Sequence, residues 1–448
     1  MSAPPLSLII ADDDTERVLS RFTVDKSVTM IRFSGPDQNF DNDLNNVEKL
    51  IGHKLNPLIY DFYTIALAVY IADLQNKKNP RTGCRTLSIL LAVSDLNKWI
   101  AVKQKLEATL RFLSGDSFRF YFVQSSKPAL PYDFEEKDRR VVSLFSGGLD
   151  SLSGVAWLLA NGLEPILVSH AAKNTLFEVQ RTMAKKIEEI AGKEILFGQI
   201  SARPKLGKHL SAKEYSEPCR SFLYLTLGMT FALELGVSRM FVFENGVMAL
   251  NIPLTPSRIY LSTRTTHPIF LRNYSELITA AFDAQISIEN PFLTLTKAEA
   301  VAPIDSDGFL DLVKESCSCS TGGYRYLGIS TNEFPHCGIC LPCIARRIAL
   351  NSSRLWSVDS KYAFDICAKY DDIPEDGKTL IHEILDFGHK LERCRTDNEA
   401  IEEFPQFLVE DFDPVPFIAM YRRQVVQTKQ FLRQRAHPSL MNKIKDWL

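Results

Sequence analysis

The sequence predicts an α/β protein: a parallel, doubly wound core carrying a cysteine-rich segment, preceded by a smaller α/β domain and followed by a helical C-terminal region. Three observations lead there. Short apolar runs alternate with helical patterns between residues 141 and 245, mixed strand and helix patterns fill the first 125 residues, and beyond residue 359 the chain reads mostly helical. With 448 residues, the chain exceeds the usual size of one hydrophobic core. The expected division is an N-terminal domain (1–125), a linker (126–140), a core domain (141–358) and a C-terminal extension (359–448).

In the first region, NPLIYDFYTIALAVYIADLQN (56–76) is apolar at helical spacing, RTLSILLAV (85–93) is a buried-strand candidate, and DLNKWIAVKQKLEATLRFL (95–113) is an amphipathic helix opened by an acidic cap. SFRFYFVQ (117–124) alternates like a strand. The stretch after it holds two prolines and a charge run, and reads as a linker. In the core, VVSLF (141–145), EPILVSH (164–170), EILFGQI (194–200) and RMFVFEN (239–245) are strand candidates. Helical patterns occupy 152–160, 176–191 and 215–235 between them. The C-terminal region has an acidic segment (397–413) and then a basic end, with seven cations against Asp446 from residue 421 onward. Such a run is more often a solvated helix face than a nucleic-acid site.

Composition narrows the class. Charged residues make up 24% and apolar ones 45%, as in ordinary globular proteins. The net charge of −2 gives no global field for nucleic acid. The N-terminus lacks a basic segment ahead of its short apolar run, and the apolar stretch 221–236 is interrupted by Glu234 and too short for a bilayer. A cytoplasmic protein without a membrane span is expected. Nine cysteines, an odd number in a long chain, argue against a disulfide scaffold.

Two motifs carry chemistry. The first is FSGGLDS (145–151), at the junction of the first core strand and helix, where parallel sheets bind ligands. Gly147 and Gly148 let backbone N–H groups approach a ligand closely, Ser146 and Ser151 add hydroxyls, and the helix starting near Ser151 presents its positive end. Together these form an anion cradle. Asp150 fits beside phosphates if Mg²⁺ lies between them, or if it ties the loop through backbone N–H groups. A Walker loop is excluded by the missing lysine, and a nucleophile elbow by Leu149 and Ser153 at the required glycine positions. The dinucleotide fingerprint fails on its third glycine. The bland alternative is a Gly-Gly turn capped by Asp150 or Ser151.

The second motif is a run of five cysteines between 317 and 343. Cys337, Cys340 and Cys343 form C-x-x-C-x-x-C, and Cys317 or Cys319 would complete a tetrahedral, closed zinc site. An iron–sulfur cluster has the same ligand needs. His336 is an outside candidate as ligand, and otherwise a loop residue.

SGGLDS resembles the signature of the PP-loop ATP pyrophosphatases, with the adenine nucleotide alpha hydrolase-like fold, which implies ATP bound at Ser146, Gly147, Gly148, Leu149, Asp150 and Ser151 and transfer of AMP to a substrate oxygen with release of pyrophosphate. A PP-loop domain followed by the C-terminal cysteines resembles the 7-cyano-7-deazaguanine synthase (QueC) family, over roughly residues 140–350. That resemblance implies a 7-deazaguanine carboxylate substrate, ATP with Mg²⁺, and Zn²⁺ held by Cys319, Cys337, Cys340 and Cys343. LDLVKESCSC (310–319) resembles the family segment that favours Cys319 as the fourth ligand. CRSFLYLTLG (219–228) and NPFLTLTKAEAV (290–301) resemble segments that place Arg220 and Lys297 near the nucleotide or substrate. VSHAAKN (168–174) and STRTTHP (262–268) depart from the biosynthetic enzymes, and the spacing between Cys319 and Cys337 is long. The extra regions look like those of QueC-like proteins in antiphage defence operons, of the Qat and type IV CBASS kinds, which implies an amide formed with an amine of a partner protein from the same operon. The free nitrile made with ammonia, a PP-loop tRNA modifier, and a non-catalytic nucleotide-binding scaffold are the alternatives.

Overall fold

The computed structural model describes residues 5–24, 28–79, 82–170, 174–205, 214, 217–256, 258, 264–305, 308–319, 336–352 and 354–448. Two parallel sheets organise it. In the N-terminal part, β1 (Leu8–Ile10), β2 (Thr29–Ile31) and a two-residue β3 (Phe40–Asp41) precede helix α1 (Pro57–Gln75), β4 (Thr86–Val93), helix α2 (Leu96–Ser114) and β5 (Ser117–Gln124). The first sheet has the order β2-β1-β4-β5 and is parallel throughout. Residues 126–137 contain no helix or strand.

The second sheet begins with β6 (Val141–Leu144), helix α3 (Leu149–Ala160), β7 (Pro165–His170), helix α4 (Asn174–Ala191) and β8 (Phe197–Ile200). After a short β9 (Arg203–Pro204) outside this sheet, helix α5 (Arg220–Leu235), β10 (Arg239–Phe241), helix α6 (Pro268–Phe282) and β11 (Ser287–Glu289) complete it. Its order is β11-β10-β6-β7-β8, again all parallel. The first strand, β6, therefore lies at the centre, and the chain winds outward from it in both directions. The crevice between β6 and β10, where the winding reverses, is where such sheets hold ligands. β9 pairs antiparallel with β3 in a separate two-stranded sheet that links the N-terminal part to the core segment.

Helix α1 fills the space between the sheets. It is the one described helix long and apolar enough to cross a membrane, yet every residue except Pro57 and Tyr60 is buried inside the protein. It packs on α5 and β4. One apolar cluster runs through Leu8, Ile65 and Ile89 to Val142, Leu144 and Ile166, so both sheets share a core. Polar groups in that core are paired: Arg85 joins Asp73 and Asp116, and Asp73 also accepts the Cys219 N–H at the entry to α5.

Asp61, on α1, is buried among apolar groups, and its carboxylate accepts from Ser94 N–H, Ser94 Oγ and Trp99 Nε1. Desolvation outweighs these bonds and raises its pKa to about 6. A raised carboxylate pKa means that the folded state holds the proton more tightly than the unfolded one, so ionisation lowers stability as pH rises from about 4 to 6. Asp61→Asn keeps an acceptor oxygen without the charge. It should stabilise the protein by about 2–3 kcal/mol above pH 7, with the gain vanishing toward pH 4. Urea midpoints of both proteins across this range measure the difference, and a gain independent of pH would contradict the assignment.

The C-terminal half adds helices α7 (Leu341–Asn351), α8 (Glu375–Arg393) and α9 (Pro414–Arg435). Cys337 and Cys343 share an apolar cluster with Ile381, Leu385, Phe431 and Leu432 of α8 and α9. The basic end is largely consumed within the chain. Arg422 pairs with Asp397, Arg423 with Glu299 and Lys429 with Glu392, and Arg435 lies over the Trp356 ring.

Candidate functional site

The glycine–serine loop leaves the carboxyl end of β6 at the crevice. Gly147 has φ +78°, in the left-handed region that a side chain would strain, and a Cβ there would lie 3.2 Å from Gln180 Cγ. Helix α3 begins at Leu149, earlier than the sequence suggests, because Gly148 rather than a serine is its N-cap and no side chain caps it. Its first N–H groups therefore face the loop opening. Ser151 Oγ donates to Gly148 O at 3.0 Å and lies 3.1 Å from Ser146 Oγ, and Ser146 Oγ accepts the Gly148 N–H at 3.2 Å. Leu149 is buried beside Phe145 and anchors the turn in the core. From the other side, Gln180 Nε2 donates to Ser146 O (3.0 Å) and to His170 O (3.3 Å).

Asp150 points into the crevice, almost fully buried. One carboxylate oxygen, Oδ2, pairs with the Lys297 ammonium and accepts from Asn245 Nδ2 at 3.2 Å. The other, Oδ1, is buried without a hydrogen-bond partner among the described residues. Of the two sequence-level readings of Asp150, a loop tie through backbone N–H groups is not what the bonds among described residues form. Lys297 is delivered by the short helix Lys297–Ala300, whose capping box joins Thr296 and Glu299. Glu244 stands beside this pair, and desolvation and the Asp150 charge raise its pKa well above the carboxylate range, with Lys297 opposing. A carboxylate oxygen unpaired among the described residues, a buried ammonium and a carboxyl with a raised pKa converge where the sheet reverses.

Arg220 lies elsewhere. It opens α5, is largely exposed and pairs with Glu217 at 3.4 Å. No hydrogen bond among the described residues joins it to Asp150 or Lys297. Its charge acts on His170, at the carboxyl end of β7, where burial first and Arg220 second lower the imidazole pKa to about 3. Among the described residues no hydrogen bond reaches His170 Nε2, Tyr224 Oη or Ser201 Oγ, all buried along this side of the sheet, and Ser169 lies beside Tyr224. Unpaired buried polar atoms are uncommon in proteins. Here they border the loop at the carboxyl ends of β7 and β8.

Asn245, Glu244, His170, Tyr224 and Gln180 were not singled out by the sequence. The FEN ending of the fourth core strand held the signal for Glu244 and Asn245, since strand carboxyl ends face the ligand crevice. Tyr224 sits in a nearly all-apolar helix and Gln180 in an amphipathic one, and neither carries a local signal.

The cysteine tetrad is the second constellation. The ligand atoms of Cys319, Cys337, Cys340 and Cys343 lie within 4.8 Å of one another. Cys319 Sγ is 4.0 Å from Cys340 Sγ, and Cys337 Sγ is 3.9 Å from Cys343 Sγ. Zn–S bonds of 2.3 Å in a tetrahedron place sulfurs about 3.8 Å apart, whereas a disulfide needs about 2.05 Å. The donor set thus fits a metal, and the fourth sulfur of the group is that of Cys319 rather than Cys317. Bonding with the Cys319 thiol lowers Cys337 to about 7, while the neighbouring sulfurs, first Cys319, raise Cys343. A cation is what permits all four to ionise together. His336 is not part of the tetrad. Its Nε2 accepts the Ser318 N–H at 3.1 Å and its Nδ1 lies 2.8 Å from Ser360 Oγ. Residues 171–173, 215–216, 262–263 and 320–335, within segments noted above, lie outside the described residues.

Residues 140–354 match the family model described as queuosine biosynthesis protein QueC. The central segment is QueC-like. Similar proteins include the 7-cyano-7-deazaguanine synthases of two Bacteroides fragilis strains, ATCC 25285 and YCH46, each 25% identical over 221 residues, which span 46% of this chain and 92% of the relative. The QueC-like segment contains the loop, Asp150, Asn245, Lys297 and the tetrad. The N-terminal sheet and helices α8 and α9 lie outside it.

Proposed function

We propose that this chain is an ATP-dependent carbon–nitrogen ligase acting on a 7-deazaguanine carboxylate. The observation that carries the reading is the convergence of the Ser146–Ser151 cradle with Asp150, Asn245 and Lys297 at the sheet's reversal point. Loop hydroxyls and helix N–H groups take the ATP phosphates. Asp150 Oδ1, the unpaired oxygen, would hold Mg²⁺, which supplies charge neutralisation at the phosphates. The substrate carboxylate oxygen attacks the α-phosphorus and pyrophosphate leaves; an amine then attacks the acyl carbon and AMP leaves, giving an amide. Lys297 and, from the β7 side, Arg220 offset charge that develops on the phosphates.

For the acceptor we favour an amine of a partner protein, encoded in the same antiviral defence operon. Support for that reading comes from the regions outside the QueC-like segment, which enclose the site's back wall and add surface for a partner. Intact-mass spectrometry of co-expressed operon partners tests it. A deazaguanine-sized adduct that disappears with Asp150→Ala is expected. A free small-molecule nitrile with no adduct would assign the chain to the chemistry named for its Bacteroides relatives instead.

A further inference from the structure

The metal tetrad and the glycine–serine loop meet through one short segment. Cys317 N–H donates to Gly147 O at 2.9 Å, and a Cβ on Gly148 would lie 3.5 Å from Cys317 O. Two residues along the chain, Cys319 supplies a sulfur to the tetrad. Residues 316–319 are neither helix nor strand, so their position rests on side-chain and long-range contacts. Arg346, fully buried on α7, donates to Ser316 Oγ (2.7 Å), Ser316 O (3.3 Å), Ser318 Oγ (3.3 Å) and Val313 O (2.7 Å). Its Nε is held by Asp359 at 2.8 Å. The Ser318 N–H is taken by His336, the residue immediately before Cys337.

We propose that metal binding and nucleotide binding are coupled through residues 316–319, with His336 as the positioning residue that links the two. With the sulfurs joined by a metal, Cys319 pins the segment and the Cys317 amide holds Gly147 in its left-handed conformation. Without it, four sulfurs within 4.8 Å of one another lose the cation between them, Cys319 is released, and the brace on Gly147 goes with it. Coupling of this kind is reciprocal: the factor by which metal tightens nucleotide binding is the factor by which nucleotide tightens metal binding.

This inference rests on the nucleotide reading of the loop, and the test separates the two. The full chain is loaded with zinc, and binding of Mg²⁺ with a non-hydrolysable ATP analogue is measured by calorimetry. Zinc affinity is measured against a chromogenic chelator with and without the analogue. About tenfold tighter zinc retention in the presence of analogue is expected. His336→Leu should keep the zinc stoichiometry, bind the analogue about tenfold more weakly and lose the reciprocal effect, and His336→Gln, which retains an acceptor, should restore part of it. Analogue binding with zinc affinity unmoved, and unchanged in His336→Leu, overturns the coupling alone. A zinc-loaded wild-type chain that binds no analogue overturns the nucleotide reading and the coupling together. Both readouts use the loaded, folded protein, so neither depends on the stripped chain remaining intact.

Discussion

Asp150→Ala is expected to lower ATP-dependent pyrophosphate release by about 10²–10³-fold, the usual loss when one preorganised charge at a reacting centre is removed. The fold should survive. Lys297 would otherwise be left as a buried, uncompensated ammonium, a change that can cost about 3–5 kcal/mol. Glu244, already in electrostatic contact with Lys297, is available to ionise and replace the lost partner. Its pKa should fall once the Asp150 charge is gone, because that charge is one of the causes holding it up. Pyrophosphate release with a 7-deazaguanine carboxylate, read beside circular dichroism and thermal unfolding, makes the comparison. Undiminished release would remove the loop from the chemistry, and an unfolded variant would show that Glu244 does not take over.

Cys343→Ser should produce the largest loss of stability. Cys343 is fully buried, and it belongs both to the tetrad and to the apolar cluster that α8 and α9 complete. Losing a ligand forfeits part of the roughly 10–16 kcal/mol by which structural zinc holds small zinc domains together, and leaves three sulfurs and a hydroxyl crowded in an apolar site. Metal content should drop from about one ion per chain to near none, and the urea midpoint should fall sharply. Metal analysis distinguishes zinc from iron. Full metal content in the variant would show that three cysteines suffice and that the fourth position belongs to packing.

Much of the central sheet was legible in its sequence, for physical reasons that also explain what was missed. Strands β6 and β7 are buried along their whole length, and β8 at all but Phe197, so they read as short, mostly apolar runs. β11, three residues of which none is buried, gives no such signal and becomes a strand only because β10 offers it an edge. The start of α3 was misplaced by a few residues because glycine served as cap where a hydroxyl residue was expected. The C-x-x-C-x-x-C part of the tetrad was readable from spacing, and the sulfur that joins it in the structure is that of Cys319. The union of Asp150 with Asn245 was not readable. They are 95 positions apart, and only the placement of β10 beside β6, which chain order does not reveal, brings them together.

The back wall of the site comes from distant parts of the chain. Tyr421 Oη donates to Val247 O at 3.1 Å, a Cβ on Gly246 would come within 2.4 Å of Met420 Sδ, and Arg423 grips both Thr294 O and Glu299 on the turn that delivers Lys297. On the opposite flank, α1 lies against α5. The boundaries of recognisable kinship, residues 140–354, are therefore not the boundaries of a self-sufficient catalyst. Cutting the gene at those limits would strip the apolar flank of α5 and unclamp the Lys297 turn, so the evolutionary module and the smallest expressible unit are different objects.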